Sequence, residues 1–139
     1  MTAIFTLYAS SFTGEARNNV YAQKIEVSDE ASLRQAVSHD YVAAEYVEGR
    51  RRKEGFLRSD CLMMDCDNDH SEQPNDWVTP DDVAASFPNV AFAVHFSRNH
   101  GKEKHGRCAR PRFHVLFPIE EICGAEGYAE LKQKVLRVY

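Results

Sequence analysis

The chain has 139 residues, of which 43% are hydrophobic and 27% charged, with a net charge of −4; this balance is typical of one ordinary globular domain spanning residues 1–139. The first twelve residues, MTAIFTLYASSF, lack the basic region, long apolar stretch and cleavage site of a secretory signal, and no stretch approaches the about 18 apolar residues of a membrane span. We therefore expect a cytoplasmic protein with reduced cysteines and no membrane partner.

The first part of the chain predicts a small unit of strands and helices. Residues 4–8 and 20–27 are predicted as strands, the second from the alternation in VYAQKIEV. Ser28, followed by two acidic residues, predicts the start of a helix that continues to about Ser38. The segment DYVAAEYV, residues 40–47, predicts a second short helix.

The remaining elements predict a second, larger unit. The apolar run CLMMDCD, residues 61–67, predicts a buried strand. Thr79 before a proline and two acids predicts a capped helix to residue 87, and VAFAVHFS, residues 90–97, predicts the next strand. These three elements predict a β-α-β unit with parallel strands. A third strand is expected over residues 112–118 and a final helix over 127–139.

Charge is segregated along the chain. Residues 65–82 include seven acidic side chains and no basic one, whereas residues 98–112 include six basic side chains against one acidic residue. A third block, residues 50–53, is entirely basic. Patches of both signs suit a protein that binds metal cations at one place and phosphates at another, although each block alone also fits a solvated loop.

A pair of carboxylates follows the apolar run of the predicted strand 61–67. Alternate residues of a strand share a face, so Asp65 and Asp67 project together while Met64 and Cys66 point into the opposite layer. Hard divalent ions such as Mg²⁺ and Mn²⁺ take oxygen ligands of this kind. Asp65 and Asp67 are therefore candidate metal ligands, the alternative being a strand that ends in a solvated acidic turn.

Basic side chains occupy the third predicted strand. Arg112 and His114 share a face by the same alternation, and they would reach phosphates at Asp65 and Asp67 if the two strands lie antiparallel side by side. Histidine can donate to a phosphate oxygen, and arginine offers a two-pronged donor. Further phosphate contacts are predicted from Arg110, Ser97 and Lys102.

The succession CLMMDCDNDH, FSRNHGKEK and RPRFHVLFPI resembles the archaeo-eukaryotic primase superfamily, specifically the primase-polymerase domains of phages, plasmids and integrated mobile elements. The resemblance runs from about Arg17 to the C-terminus. It implies an α+β fold in which an RRM-like sheet carries helices on one face and is joined to a small N-terminal α/β unit. It also implies that Asp65 and Asp67 bind the metals and that His114 contacts the triphosphate of the incoming nucleotide.

The function that the resemblance implies is template-directed nucleotidyl transfer, by a DNA primase and DNA polymerase that uses two Mg²⁺ or Mn²⁺ ions, in replication of a mobile element or phage. The implied partners are nucleoside triphosphates, single-stranded or primed DNA running over the basic block 50–53, and a helicase domain in a longer parent chain. Members of the superfamily carry a third metal-binding acid on a strand beyond a helix. Glu120 and Glu121 do not fit that position, so we expect residues 1–139 to be a truncated or degenerate core, inactive by itself.

Other interpretations stay open. A non-enzymatic RRM-like module that binds single-stranded nucleic acid would present stacking aromatic side chains on the open sheet face. A metal-dependent replication-initiator nuclease would require a His-x-His pair on one strand and a tyrosine nucleophile on a helix. A zinc site could also be drawn, but its ligands lack the usual spacing of paired cysteines. Its residues would be Cys61, Cys66, His70 and Cys108.

Overall fold

The computed structural model describes residues 5–14, 17–98, 100–103 and 106–137, apart from the side chain of Lys53. Within these ranges the chain forms three α-helices and two antiparallel sheets, which confirms the predicted α+β class. None of the helices in the described ranges combines the length and the hydropathy needed to cross a membrane.

The first sheet comes from the N-terminal part of the chain. Strand β1, Phe5–Ala9, lies at its centre, with β2, Gln23–Val27, and β3, Tyr41–Val42, antiparallel on either side. Helix α1, Glu30–Ala36, begins after Asp29, whose side chain accepts a hydrogen bond from the backbone N–H of Ser32. The predicted α/β unit is therefore present, and its helix is capped one residue later than expected.

The predicted helix over residues 40–47 is wrong. The segment is extended. Tyr41 and Val42 pair with β1. The next two-residue strand, β4, Glu45–Tyr46, pairs with a strand of the second sheet. Between them Ala43 and Ala44 are buried. Because strand pairing on both sides satisfies the backbone and buries the side chains, it outweighs the intrinsic preference of alanine and glutamate for a helix.

The second sheet has the order β4-β5-β7-β6. Its members are β5, Phe56–Cys66, β6, Ala93–Phe96, and β7, Phe113–Cys123, with α2, Pro80–Ser86, before β6 and α3, Ala125–Leu136, after β7. Since β7 is antiparallel to both β5 and β6, these two are parallel, as predicted, but not adjacent. This β-α-β-β-α succession is the split β-α-β arrangement of RRM-like and ferredoxin-like sheets.

Alternate residues of β5 separate two hydrophobic layers. Leu62 and Met64 pack with Val83 of α2 and Leu131 of α3, so both helices lie on one face of the sheet. Cys61 points the other way, into a core shared with β1, β2 and α1. The N-terminal unit therefore covers the sheet face opposite the helices.

Helix α3 also protects the outer edge of β5. The Tyr128 hydroxyl accepts a hydrogen bond from the backbone N–H of Met63 at 3.1 Å and donates to the carbonyl of Cys61 at 2.9 Å. Both backbone groups lie where a neighbouring strand would otherwise bond. A side chain of α3 thus satisfies edge groups that β4, only two residues long, does not reach.

Replacing Thr79 with alanine should destabilise the fold, because the Thr79 side chain accepts from the N–H of Asp82 while the Asp82 carboxylate accepts from the N–H of Thr79. Loss of such a cap lowers the free energy of unfolding by about 1 kcal/mol. Urea unfolding followed by circular dichroism measures the change. The control is Gln133→Ala on the exposed side of α3, and equal stability of the two variants would contradict the role of the cap.

Candidate active site

A cavity of about 510 Å³ lies between the N-terminal unit and the second sheet, beyond the point where their shared core ends. Side chains of both units line it, and most of them are polar or charged. Those relevant to its chemistry are Asp40, Tyr41, Arg51, Asp65, Asp67, His95, Ser97, Arg98, Arg112 and His114. The cavity therefore brings together carboxylates, imidazoles and guanidinium groups from widely separated parts of the chain.

Strand register places three of these side chains in one row. Asp65 of β5 is opposite His114 of β7, which in turn is opposite His95 of β6. The nearest imidazole nitrogen of His114, Nε2, lies 3.8 Å from Oδ1 of Asp65. The predicted pairing of Asp65 with His114 is thus present in the structure, whereas His95 joins the site without having been predicted there.

Tyr41 of β3 closes the row from the N-terminal side. Its hydroxyl oxygen is 2.8 Å from Nδ1 of His95 and 2.5 Å from Nδ1 of His114, and its ring meets both imidazoles edge-on. Tyr41 was not predicted at the site because residues 40–47 were predicted as a helix. If the segment had been predicted as a strand, Tyr41 and Ala43 would have been placed on the same face. No local signal in the sequence identifies the two histidines as partners of Tyr41.

Burial sets the protonation of this cluster. It lowers the pKa of His95, helped by the neighbouring His114, and it lowers the pKa of His114 although the charge of Asp65 acts in the opposite direction. Burial also raises the pKa of Tyr41 far above that of a free tyrosine. At neutral pH both imidazoles are therefore uncharged and the Tyr41 hydroxyl keeps its proton.

A tight turn brings Asp67 to the cavity immediately after β5 ends. The next residue, Asn68, has a φ of 57° and is 3% exposed. Its side-chain amide donates to the carbonyls of Val78 and Pro111, and its oxygen accepts from the N–H of Val78. Asparagine tolerates this left-handed backbone better than most residues, and its three hydrogen bonds keep the turn in place.

Arg112 is the most informative side chain of the site. It is 2% exposed, and its Nη1 donates to the carbonyl of Asp67 at 3.1 Å and to Oδ1 of Asp69 at 2.8 Å. Its Nε and Nη2 are buried without a hydrogen-bond partner among the described residues. Buried donors of a charged group are almost always paired, so two unpaired guanidinium nitrogens in a residue that lines the cavity indicate a place for an anion.

Arg110 is not brought into the cavity. It is 1% exposed, and its guanidinium donates to the Glu72 carboxylate at 2.6 Å and to the carbonyls of Asn68 and Ser71. It also lies over the ring of Trp77, 5.3 Å from the centroid. These contacts hold the acidic loop that follows Asp67 in place. Arg110 therefore stabilises the loop next to the cavity and does not face a ligand.

Of the other residues predicted to contact phosphate, some line the cavity and some do not. Ser97 lines the cavity, whereas Lys102 is exposed on the following loop and is not among the lining residues. Lys104, in the same basic block, lies outside the described residues. Arg98 and Arg51 do line the cavity. The positive charge therefore comes from both basic segments, with Arg51 from residues 50–53 and Arg98 and Arg112 from the two ends of residues 98–112.

The two candidate metal ligands offer oxygen donors to the same cavity. The Asp65 side chain is 67% exposed, and Asp67 is also exposed. Within the described ranges no three His, Cys, Asp or Glu side chains are grouped closely enough to hold a metal ion. A divalent ion at Asp65 and Asp67 would have to take its remaining ligands from water or phosphate.

Three other acidic residues do not complete a metal site. Asp40 lines the cavity, but both of its oxygens accept from the N–H of Gly14. Glu120 and Glu121 lie near the far end of β7, roughly 20 Å along the strand from His114. The alternative zinc site is also not formed, because Cys61 and Cys66 lie on opposite faces of the sheet.

Comparison with models of protein families, with curated proteins and with solved structures finds no match to this chain.

The half-buried histidines predict that the fold loses stability as the pH falls below neutral. Because burial lowers the pKa of His95 in the folded state, the unfolded chain binds a proton at a higher pH than the folded chain does. The stabilisation is complete above about pH 7 and is lost as the pH falls through about 6.5, the pKa of an unperturbed histidine. Urea midpoints measured from pH 7.5 to 5.5 should fall.

His95→Gln should flatten this dependence, whereas His39→Gln, which removes an exposed histidine, is the matched control. A midpoint that rises as the pH falls would contradict the assignment of neutral, half-buried imidazoles.

Proposed function

We propose that the cavity binds a nucleoside triphosphate with a divalent metal ion and that the chain is the core of a template-directed nucleotidyl transferase, a DNA primase and polymerase. The observation that supports this most directly is Arg112, which lines the cavity together with Asp65 and Asp67 and has two buried guanidinium nitrogens without a partner among the described residues. An anion that binds next to carboxylates requires a cation between them, and metal-bound triphosphate meets both requirements.

Each side chain has a role in this proposal. The guanidinium of Arg112 would donate hydrogen bonds from Nε and Nη2 to phosphate oxygens. His114, two residues further along the chain, would donate from Nε2. Asp65 and Asp67 would hold Mg²⁺ or Mn²⁺. When bound, the metal would neutralise phosphate charge and activate a 3′-hydroxyl for attack. Arg98 and Arg51, on the cavity wall, would add positive charge around the nucleotide.

A second cavity, of about 370 Å³, supports nucleic acid as the partner. Tyr46, Phe56, Arg51 and Arg52 line it, and Arg51 also lines the first cavity. Aromatic rings stack on bases and arginines contact phosphates, which is how single strands are bound without regard to sequence. Because Arg51 lines both cavities, a template or primer strand bound in the second cavity would lie next to the nucleotide site.

A non-enzymatic RRM-like binder is less well supported. That function needs an exposed sheet face with stacking aromatic rings. In this protein the N-terminal unit covers the face opposite the helices, and the part left open carries Asp65, His95 and His114. Carboxylates on that face would repel a nucleic-acid backbone unless metal ions intervene.

A replication-initiator nuclease has one observation in its favour, the neighbouring His95 and His114, which lie across two strands instead of along one. The nearby Tyr41, however, lies on a strand, and its hydroxyl is held by both imidazoles. Burial raises the pKa of Tyr41, which weakens it as a nucleophile. A metal ion bound to both histidines would favour the nuclease.

Several features of the wider protein stay predictions: a cytoplasmic location, a role in replication of a mobile element or phage, an attached helicase, and a third metal-binding acid beyond α3. Because Asp65 and Asp67 alone hold one metal more readily than two, residues 1–139 should bind nucleotide but extend a primer poorly.

Isothermal titration of the 139-residue chain with a nucleoside triphosphate and Mn²⁺ tests the proposal. Arg112→Gln should weaken binding about 10- to 100-fold, because a hydrogen bond to a charged group contributes about 1.5–3 kcal/mol. His114→Ala should also weaken it, and Asp67→Asn should remove the dependence on Mn²⁺. The matched control is Arg34→Gln, which removes an exposed arginine of α1. Unchanged affinity in both Arg112→Gln and His114→Ala would contradict the proposed site.

A further inference from the structure

The hydroxyl of Tyr41 lies between two histidine rings, an arrangement that phosphate binding by His114 does not by itself require. The hydroxyl oxygen is within hydrogen-bond distance of Nδ1 on both His95 and His114. A tyrosine hydroxyl has one hydrogen to donate and lone pairs with which to accept. It can therefore donate to one imidazole only, and the other imidazole has to donate to it.

This constraint requires the two rings to be opposite tautomers. The ring that accepts at Nδ1 has a lone pair there and is therefore uncharged, and His95 is uncharged near neutral pH because burial lowers its pKa. The ring that accepts from Tyr41 at Nδ1 carries its hydrogen on Nε2, whereas the ring that donates from Nδ1 keeps a lone pair on Nε2. Each ring therefore presents a different chemical group at its second nitrogen.

Asp65 decides which ring takes which form. Its Oδ1 lies 3.8 Å from Nε2 of His114, and a carboxylate favours a hydrogen on the nitrogen that faces it. His114 then accepts from Tyr41 at Nδ1. His95, in turn, donates its Nδ1–H to the Tyr41 oxygen.

We propose that Tyr41 is a positioning residue that, together with His95, holds His114 as the Nε2–H tautomer and leaves His95 with an unprotonated Nε2 in the same cavity. His114 is thereby fixed as a donor, which is the form that a phosphate oxygen needs. His95 becomes an acceptor for a ligand hydroxyl or amino group. The use of this donor on a triphosphate rests on the proposed function, whereas the tautomers follow from the geometry of the protein alone.

Long-range ¹H–¹⁵N NMR of the labelled 139-residue chain at pH 7.5, without ligand, tests the tautomers. The expected result is hydrogen on Nε2 of His114 and on Nδ1 of His95. In Tyr41→Phe, His95 loses the acceptor for its Nδ1–H and should change to the Nε2–H form that imidazole prefers in water. A purely structural role for Tyr41 would not move this signal.

The control is Tyr8→Phe, which removes another buried tyrosine hydroxyl and should leave both histidines unchanged. His95→Gln gives an independent check, since Tyr41 can still donate to His114, which should keep its Nε2–H. The proposal is overturned if His95 and His114 share one tautomer in the unaltered chain, or if Tyr41→Phe leaves His95 as it was.

Titration with inorganic triphosphate separates this proposal from the proposed function. Tyr41→Phe should weaken binding about 3- to 10-fold, as expected for the loss of one well-oriented hydrogen bond, and should add nothing to the loss in His114→Ala. A tautomer change without any loss of affinity would overturn the positioning role. Failure of the unaltered chain to bind triphosphate, with the tautomers as expected, would instead contradict the nucleotide site.

Discussion

The antiparallel pairing of β5 with β7 is the interaction on which the site depends. Its register sets Asp65 opposite His114, and the same register places alternate residues of both strands in the hydrophobic layer against α2 and α3. A shift by one residue would turn Asp65 and His114 into that layer and expose apolar side chains in their place. The burial that stabilises the sheet therefore also fixes the chemistry of the cavity.

Arg112 connects this register to the acidic loop. It lies one residue before β7, and its guanidinium donates to the backbone of Asp67 and the side chain of Asp69, while its Nε and Nη2 have no partner within the described ranges. A buried cation with unused donors is unfavourable in the absence of a ligand. Binding of an anion would relieve that penalty, so the same arginine that orders the loop also favours phosphate at the site.

The sequence predicted the elements whose signals are local. The capped helix after Thr79, the strand through Asp65 and the strand through His114 are all present because each carries its own pattern of caps or alternation. It did not predict the extended segment at Tyr41, where pairing with two sheets overrides local propensity. It also missed His95, whose place in the site depends on strand order, a property of the whole sheet.

The roles of Arg110 and Arg112 show the same limit at the level of single residues. Both precede β7 in a basic run, and the sequence predicted phosphate contacts for both. In the fold, the guanidinium of Arg110 donates hydrogen bonds to Glu72 and to two backbone carbonyls. Arg112, which lines the cavity, has two nitrogens without a partner among the described residues. Only the path of the loop decides which arginine remains available to a ligand.

A crystal structure of the chain with Mn²⁺ and a non-hydrolysable nucleoside triphosphate tests the proposed nucleotide site. We expect anomalous density for manganese at Asp65 and Asp67, with triphosphate oxygens on the Nε and Nη2 atoms of Arg112 and near Nε2 of His114. Manganese bound to His95 and His114, or triphosphate bound elsewhere with the Arg112 donors still unpaired, would contradict it.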